Sequence, residues 1–442
     1  MMLMATLTMP LMADTWTLQR CIDWATEHNI DVQKDLLSEQ DVQSQLAQAK
    51  AALLPTLTAS TSQNVTNRPW TQSTTNIVSD GSGNMTAAST SSSTTYNGNY
   101  GLNLGYTLWN GGRRTKTIDQ QKMTLEKSQL TTEQLKNTIK EKIMTLYVEI
   151  LYCREAVKVN KQTLEVSKAQ RDRGQRMVEI GQLAKADLAQ LEAQVAQDAY
   201  NVVNAQTTLD RYKLQLRQLL ELSPSEDFDV AAVDVSDDEA LGIIPNADEV
   251  YQAALLQRPE IRASKLSVDI AGKQIDIAKA GRLPSVSLSA GIGTSNMSGS
   301  SNTVVKQWKN NWSNSAGLSV SVPIFSQRQH RTSIERAIIQ KQTAELEVLN
   351  QQKQLRNTID GYWLDAANAQ AQFRYAKINE ESMQTSFDLV SEQFNVGLKN
   401  LVELMNGKNN LLKAQQTKLQ MKYTTVLDQQ LLKFYEGQEL KL

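Results

Sequence analysis

The sequence predicts a mainly α-helical protein with a small β part, built from one structural unit used twice. Three observations predict it. Four segments of about ten residues alternate between apolar and small polar residues, the signature of strands with two unlike faces. Each pair of such segments leads into a stretch of about sixty residues that is nearly free of Gly and Pro. The same order of events fills residues 14–222 and then residues 246–442, an internal duplication.

Composition points the same way. Of 442 residues, 40% are hydrophobic and only 6% aromatic, with 8 Pro and 20 Gly. Gln, Lys, Glu, Ala and Leu dominate, as in long helices and coiled coils rather than in a string of compact domains. A net charge of −1 gives no drive toward nucleic acid. Beyond the extreme N-terminus no run of about 20 apolar residues could cross a membrane as a helix. The opening run, residues 1–13, reads as a secretory signal peptide. Met1 to Met12 is apolar and Ala13 supplies a small residue ahead of Asp14, although no Lys or Arg precedes the run. Cys21 stands too late for an N-terminal lipid anchor. Cys21 and Cys153 make no disulfide framework and read as small buried residues in helical patterns.

The elements then follow in order. Each half opens with a short helix, marked by Leu18, Ile22 and Ala25 in the first and by Val250, Ala253, Ala254 and Leu255 in the second. A second helix follows and stops at Leu54-Pro55 or Leu283-Pro284, because proline lacks an N–H and clashes with the preceding turn. The first strands are expected over about 55–63 and 285–294. In the second of these, Val286, Leu288, Ala290 and Ile292 alternate with Ser and Gly. Loops rich in Ser, Thr, Asn and Gly come next, over 64–99 and 295–315. Such composition buries too little apolar surface to order a segment firmly. The second strands are expected over about 100–109 and 316–325. Leu102, Leu104, Tyr106 and Leu108 mark one, and Leu318, Val320, Val322 and Ile324 the other.

Long helices follow, over about 113–173 and 327–396. Gly181 and Gly397 punctuate them, and return helices run over about 184–221 and 400–436. The separation of Gly181 from Gly397 equals that of Trp109 from Phe325, so the two long helices match in length. In the first return helix Leu188, Val195, Val202, Leu209 and Leu216 recur every seven residues. A second seam runs through Leu191, Ala205, Tyr212 and Leu219, with Asp198 as its one polar break. A strict seven-residue period implies supercoiled packing against a partner helix. Residues 223–245 read as an acidic, solvated linker at the waist of the helices, whose carboxylates lack the spacing of a calcium loop.

Ten-residue strands tilted about 45° span the apolar height of an outer membrane. A membrane sheet must close on itself, because open edges leave backbone groups unpaired in hydrocarbon. Four strands cannot enclose a lumen, so several chains must share one barrel. Two would give eight strands and a filled interior; three would give twelve and a channel. The small lumen-facing residues favour the trimer. Tyr96, Tyr100 and Trp312 at the loop ends and Trp109 and Phe325 at the helix ends suit interfacial girdles. At 1.5 Å per residue each long helix is a rod of about 90 Å, continuous with the strands and, if the Ser/Thr-rich loops are extracellular, directed into the periplasm.

These residues resemble the TolC-type outer-membrane efflux proteins over nearly the whole mature chain. The carriers are the Leu-Pro strand starts at Pro55 and Pro284, the strand-to-helix junctions Leu108-Trp109-Asn110-Gly111-Gly112-Arg113 and Pro323-Ile324-Phe325, the paired turns at Gly181 and Gly397, and the duplication. The resemblance implies a homotrimer with a twelve-stranded barrel and a tunnel of antiparallel coiled-coil helices. It implies an exit duct for a tripartite efflux pump, working with a periplasmic adaptor and an inner-membrane transporter. The alternative is the outer-membrane component of a type I secretion system. It also implies a periplasmic gate at the helix turns. Asp187 and Glu403 match the acidic positions; Asn406 stands where the family has a further acid. Phe394 takes the place of a hydroxyl-bearing ring, and Lys399 matches a basic position. Ser326-Gln327-Arg328 replaces the Gly-Gly pair at the second junction, which implies a stiffer bend.

An enzyme is not expected. His28 and His330 have no motif around them, and no phosphate loop, zinc spacing or nucleophile elbow occurs. No cofactor is expected. A soluble periplasmic coiled-coil adaptor would account for the helices but not for the four two-faced strands.

Overall fold

The computed structural model describes residues 15–70, 75–79, 85–89, 94–223 and 228–442. The expected signal peptide, part of the first polar loop and residues 224–227 of the expected linker lie outside them. Strand β1 (Thr15–Trp16) leads into helices α1 (Leu18–His28) and α2 (Ile30–Ala51). Then come β2 (Thr56–Asn67), a small hairpin of β3 (Thr75–Ser79) and β4 (Met85–Ser89), and β5 (Thr94–Trp109). Helices α3 (Arg113–Glu179) and α4 (Lys185–Leu219) complete the first half. Strand β6 (Asp229–Val230) and helix α5 (Asp237–Ala240) connect to α6 (Ala247–Gln257) and α7 (Pro259–Ala280). The chain ends with β7 (Ser285–Met297), α8 (Val304–Asn310), β8 (Ser313–Ser321), α9 (Gln329–Asn395) and α10 (Leu401–Glu436).

The described residues fall into two compact units that cut across the sequence halves. One draws on the described residues within 1–40, 126–266 and 345–442, the other on those within 41–125 and 267–344.

In the first unit, short helices pack on the middle of the long ones. Thr17 caps α1 by accepting from the Arg20 amide. Asn29 accepts from the Asp31 amide at the start of α2 and donates to the Leu219 carbonyl. Pro259 opens α7, where a missing N–H costs nothing. A core forms around Tyr147, Ile143, Met144 and Phe373, with Trp16, Leu18, Cys21 and Ile22 against it. The Tyr147 hydroxyl lies 3.3 Å from the Trp16 carbonyl and 3.2 Å from that of Ala231. Cys21 and Cys153 are free and buried, and burial pushes the Cys21 thiol up to about 12 and that of Cys153 up to about 11. A second cluster is tied by Arg258, which reaches Glu141 at 3.0 Å and Glu260 at 2.8 Å beneath the Tyr435 ring.

The acidic stretch after α4 is packed more closely than a solvated linker would be. β6 pairs in parallel with β1, and Val230, Val235 and Ala240 are buried. Asp229 lies 2.9 Å from both Arg154 and Lys213; Asp237 lies 3.0 Å from both Lys377 and Lys422. Burial alone would raise these two carboxyls, but the cations overbalance it and hold both below the usual carboxylate range. Acidic composition suggested solvation because it does not reveal the lysines waiting on distant helices.

In the second unit, one antiparallel sheet has the order β2–β5–β7–β8. Within the paired stretches its register puts the alternating apolar residues on one face; Leu108 falls at a register shift, and Val322 and Ile324 lie beyond β8. Leu57 lies opposite Leu104, Leu102 opposite Ile292, Tyr106 opposite Leu288, and Leu288 opposite Leu318. That face is bare: Leu57 and Leu318 are each 64% exposed and Val320 is 60% exposed. The outer strands β2 and β8 leave two open edges.

The strands differ in extent from the sequence expectation. β2 and β5 continue to Asn67 and back to Thr94, well into the stretch read as an unordered polar loop. Threonines suit a strand without burying much surface, and the hydroxyls of Thr58 and Thr95 reach across to the carbonyls of Asn103 and Thr66. β7 likewise reaches Met297, and the second loop carries α8. Strand β8 stops at Ser321, short of Phe325. Its partner begins at Ser285, directly opposite Ser321, and Pro323 has no N–H to donate.

The two strand-to-helix junctions each place two successive residues at positive φ, by different chemistry. Gly111 and Gly112 have φ of 68° and 75°. At the other junction Gln327 and Arg328 hold φ of 46° and 68°, conformations that normally call for glycine. The replacement therefore keeps the pair of left-handed φ values and adds strain.

Candidate functional site

The candidate site lies where α3 hands over to α4 and α9 to α10, within the first unit. Both turns are built alike. The Gly181 amide donates to the Val178 carbonyl at 3.1 Å and the Gln182 amide to Met177 at 2.8 Å. At the other turn Gly397 donates to Phe394 at 3.1 Å and Leu398 to Gln393 at 2.8 Å. This crossed pair is the Schellman ending, which needs a left-handed residue after the helix. Gly181 and Gly397 supply it at φ of 74° and 77°. A Cβ added at either glycine would meet nothing within 4 Å, so glycine is needed there for its conformation and not for space.

The following helices start differently. Asn400 caps α10 by accepting from the Glu403 amide at 2.9 Å, while Glu403 accepts from the Asn400 amide at 3.3 Å, a complete capping box. Lys399 closes on the same carboxylate at 2.6 Å. That hydrogen bond, helped by the Asn400 amide, holds Glu403 below the usual carboxylate range. Helix α4 has no such cap. Ala184 offers no side-chain acceptor, and Asp187 stands half-buried in the first turn with no ion pair among the described residues.

The predicted site residues therefore divide. Lys399 and Glu403 are brought together. Asn406 is exposed. Phe394 is buried in a cluster with Leu191, Phe387, Leu401, Leu404 and Leu411, so its ring packs the turns against each other. Arg173 adds a tie, donating to the Asn395 carbonyl at 3.0 Å.

A group missed by the sequence reading lies one layer inside. Lys408 of α10 sits 2.5 Å from Asp198 of α4 and 2.7 Å from the hydroxyl of Ser167 on α3. Ser167 in turn donates to Asp198 at 2.5 Å, and Gln194 donates to the other carboxylate oxygen at 3.0 Å. Ser167, Asp198 and Lys408 are only 1%, 2% and 3% exposed. The signal was present: Asp198 is the polar break in an apolar seam. A buried carboxylate requires a cation, and an alignment of helices is needed to find which one. Burial lowers the Lys408 ammonium, and Asp198 works against that. The result is a charge-assisted clasp across three helices just behind the turns.

Comparison with known proteins places this architecture. A profile described as "Outer membrane efflux protein" matches residues 21–221 and 250–438. Alkaline protease secretion protein AprF of Pseudomonas aeruginosa is 22% identical over 304 residues, covering 67% of this chain and 60% of that protein. Outer membrane efflux protein BepC of Brucella suis is 21% identical over 338 residues, covering 75% of this chain and 70% of that protein. The solved structure of the outer membrane protein VceC from Vibrio cholerae superposes with a TM-score of 0.76 at 16% identity, over 96% of this chain and 97% of that one. With the family profile matched in both halves and that fold matched almost end to end, the chain belongs to the outer membrane efflux protein family.

Proposed function

We propose that the chain is one of three protomers of an outer-membrane exit duct for a tripartite efflux pump. One observation carries the reading: an open-edged, four-stranded sheet with a bare apolar face runs directly into two 67-residue helices. In water that face and those edges would aggregate. In a bilayer the face meets lipid, and the edges close by pairing β2 of one copy with β8 of the next. Three copies give twelve strands and an open lumen lined by Ser, Gly, Thr and Asn. Residues 14–222 and 246–442 then act as duplicated units around the duct. A periplasmic adaptor and an inner-membrane transporter supply contact and energy, and the duct itself performs no catalysis.

The gate belongs at the helix turns. Three copies of Asp187 and Glu403 form charged rings there, with Lys399 setting the charge of the second and Asn406 beside it. Gly181 and Gly397 make the reversals, and Phe394 packs behind them. A second reading, the outer-membrane component of a type I secretion system, draws on AprF, whose name ties it to alkaline protease secretion.

The test is partition followed by conductance. The chain should remain with outer membranes after a high-salt wash and cross-link as a trimer; a soluble periplasmic adaptor would wash off. In planar bilayers, Asp187→Asn with Glu403→Gln should lower cation selectivity. Unchanged conductance and selectivity would overturn the gate while leaving the duct standing. Co-purification with a drug transporter or with a protein-exporting ATPase separates the two readings.

A further inference from the structure

Helix α8 has the build of a membrane-surface element. It lies beside the loop end of the apolar sheet face and is clamped there. The Trp308 ring meets Tyr100 at 5.3 Å between centroids, edge to face. Thr294, directly opposite Tyr100 in the register, donates its hydroxyl to the Trp308 carbonyl at 2.7 Å. Gln307 is buried, accepting from the Met297 amide at 2.8 Å and donating to the Asn302 carbonyl at 2.9 Å. Asn311 donates to the Ser295 carbonyl at 2.8 Å. Tyr100 and Thr294 lie one alternation beyond Leu102 and Ile292, on the same side of the sheet. The apolar surface of the strands therefore continues onto α8.

What α8 shows outward is divided. With Gln307 pointing in, rotation of about 100° per residue sends Val304, Trp308 and Val305 to one flank and Lys306 and Lys309 to the other. Val305 is 73% exposed, and Trp312 next to the helix is also bare. Lys306 and Lys309 are exposed and have no ion-pair partner among the described residues. An apolar flank continuous with a lipid-facing surface, edged by two unpaired cations, suits a boundary where acyl chains end and anionic headgroups begin.

The geometry points to α8 as a docking surface for a phosphate-bearing glycolipid of the outer leaflet. Val305, Trp308 and Trp312 lie against its acyl chains, and Lys306 and Lys309 meet its phosphates. This rests on the barrel reading above, with the Ser/Thr-rich loops outside the cell.

The test uses the full chain purified in detergent and titrated with diphosphoryl lipid A, with retained lipid counted by native mass spectrometry. Lys306→Gln with Lys309→Gln should weaken retention on the order of tenfold. With dephosphorylated lipid A, wild type and double variant should bind alike. Val305→Asp, at a site too exposed to disturb folding, should weaken binding of both lipids. Equal retention of diphosphoryl lipid A by wild type and double variant overturns the proposal, as does wild-type binding that ignores the phosphates. The salt-wash partition is run on the same preparations. A chain that washes off the membrane removes the barrel reading and this proposal together. A chain that stays, with lipid retention unaffected by the lysines, removes this proposal alone.

Discussion

Replacing Lys408 with Met should unfasten the helices behind the turns. The substitution keeps length and volume but removes the cation, leaving the Asp198 carboxylate buried with only Ser167 and Gln194 as donors. Lys408 and Asp198 are 3% and 2% exposed and 2.5 Å apart, so water cannot take over the missing role. Breaking a buried pair in this way costs about 3–5 kcal/mol. At about 1.4 kcal/mol per decade, local opening should become roughly a hundred- to several-thousandfold more frequent, up to the limit set by global unfolding. Hydrogen exchange read by mass spectrometry on peptides from 190–205 and 400–415 reports that opening. Peptides of the 140–150 core supply the internal reference. The double variant Asp198→Leu with Lys408→Met removes both charges and should recover most of the protection, because an apolar pair of similar volume satisfies the same seam. The reasoning fails if the single variant exchanges like wild type, or if the double variant exchanges faster than the single.

Three further outcomes follow from particular contacts. Gly111→Ala and Gly397→Ala impose the same left-handed strain, about 1 kcal/mol, but only the first adds a clash, since its Cβ would stand 2.8 Å from the Ala280 carbonyl and from Leu283. Thermal melts should therefore show the larger loss for Gly111→Ala. Gln327→Gly should raise the melting temperature by relieving about 1 kcal/mol of strain at a φ of 46°; a fall would mean that the Gln327 side chain holds the junction. Burial, reinforced by Asp365, pushes the Asp428 carboxyl up to about 7. The unfolded chain ionises it near 4, so the folded state loses stability as pH rises between about 4 and 7 and levels off above. Melts at pH 5 and pH 8 should show a smaller alkaline deficit in Asp428→Asn than in wild type; equal deficits would refute the assignment.

The fold was legible where one residue type enforces one backbone state. Pro55 and Pro284 stop helices, Gly181 and Gly397 reverse them, and alternation assigns a face to each strand. Extent was less legible. Asn64 pairs with Asn97 through backbone alone, so the strands outlast the apolar pattern that announces them. The early stop of β8 depends on where its neighbour begins, which no local pattern records. The site was read by position and not by contact. Phe394, a gate candidate through the resemblance alone, is packed among Leu191, Phe387 and Leu404, contacts that no position along the chain records. Asp198 reads as a flaw in a seam and is the centre of a clasp, because its partners Ser167 and Lys408 lie on other helices.

Within the turns, the same logic ranks the two carboxylates that the gate reading treats alike. Glu403 is engaged three ways: its amide donates to the Asn400 side chain that caps the helix, its carboxylate accepts from the Asn400 amide, and that carboxylate holds Lys399 at 2.6 Å. The ammonium offsets much of its charge as seen from a passing ion. Asp187 begins a helix with no side-chain cap and no ion pair among the described residues, so under the gate reading no neighbouring cation reduces its field. Of the two substitutions in the conductance test, Asp187→Asn should therefore account for most of the lost cation selectivity. Glu403→Gln frees Lys399 as an uncompensated cation, so it should lower cation current by adding positive charge rather than by removing a binding site. The added variant Lys399→Gln separates the causes. Combined with Glu403→Gln it should restore much of the current if charge balance governs the ring, and none of it if the Glu403 carboxylate itself binds the ion.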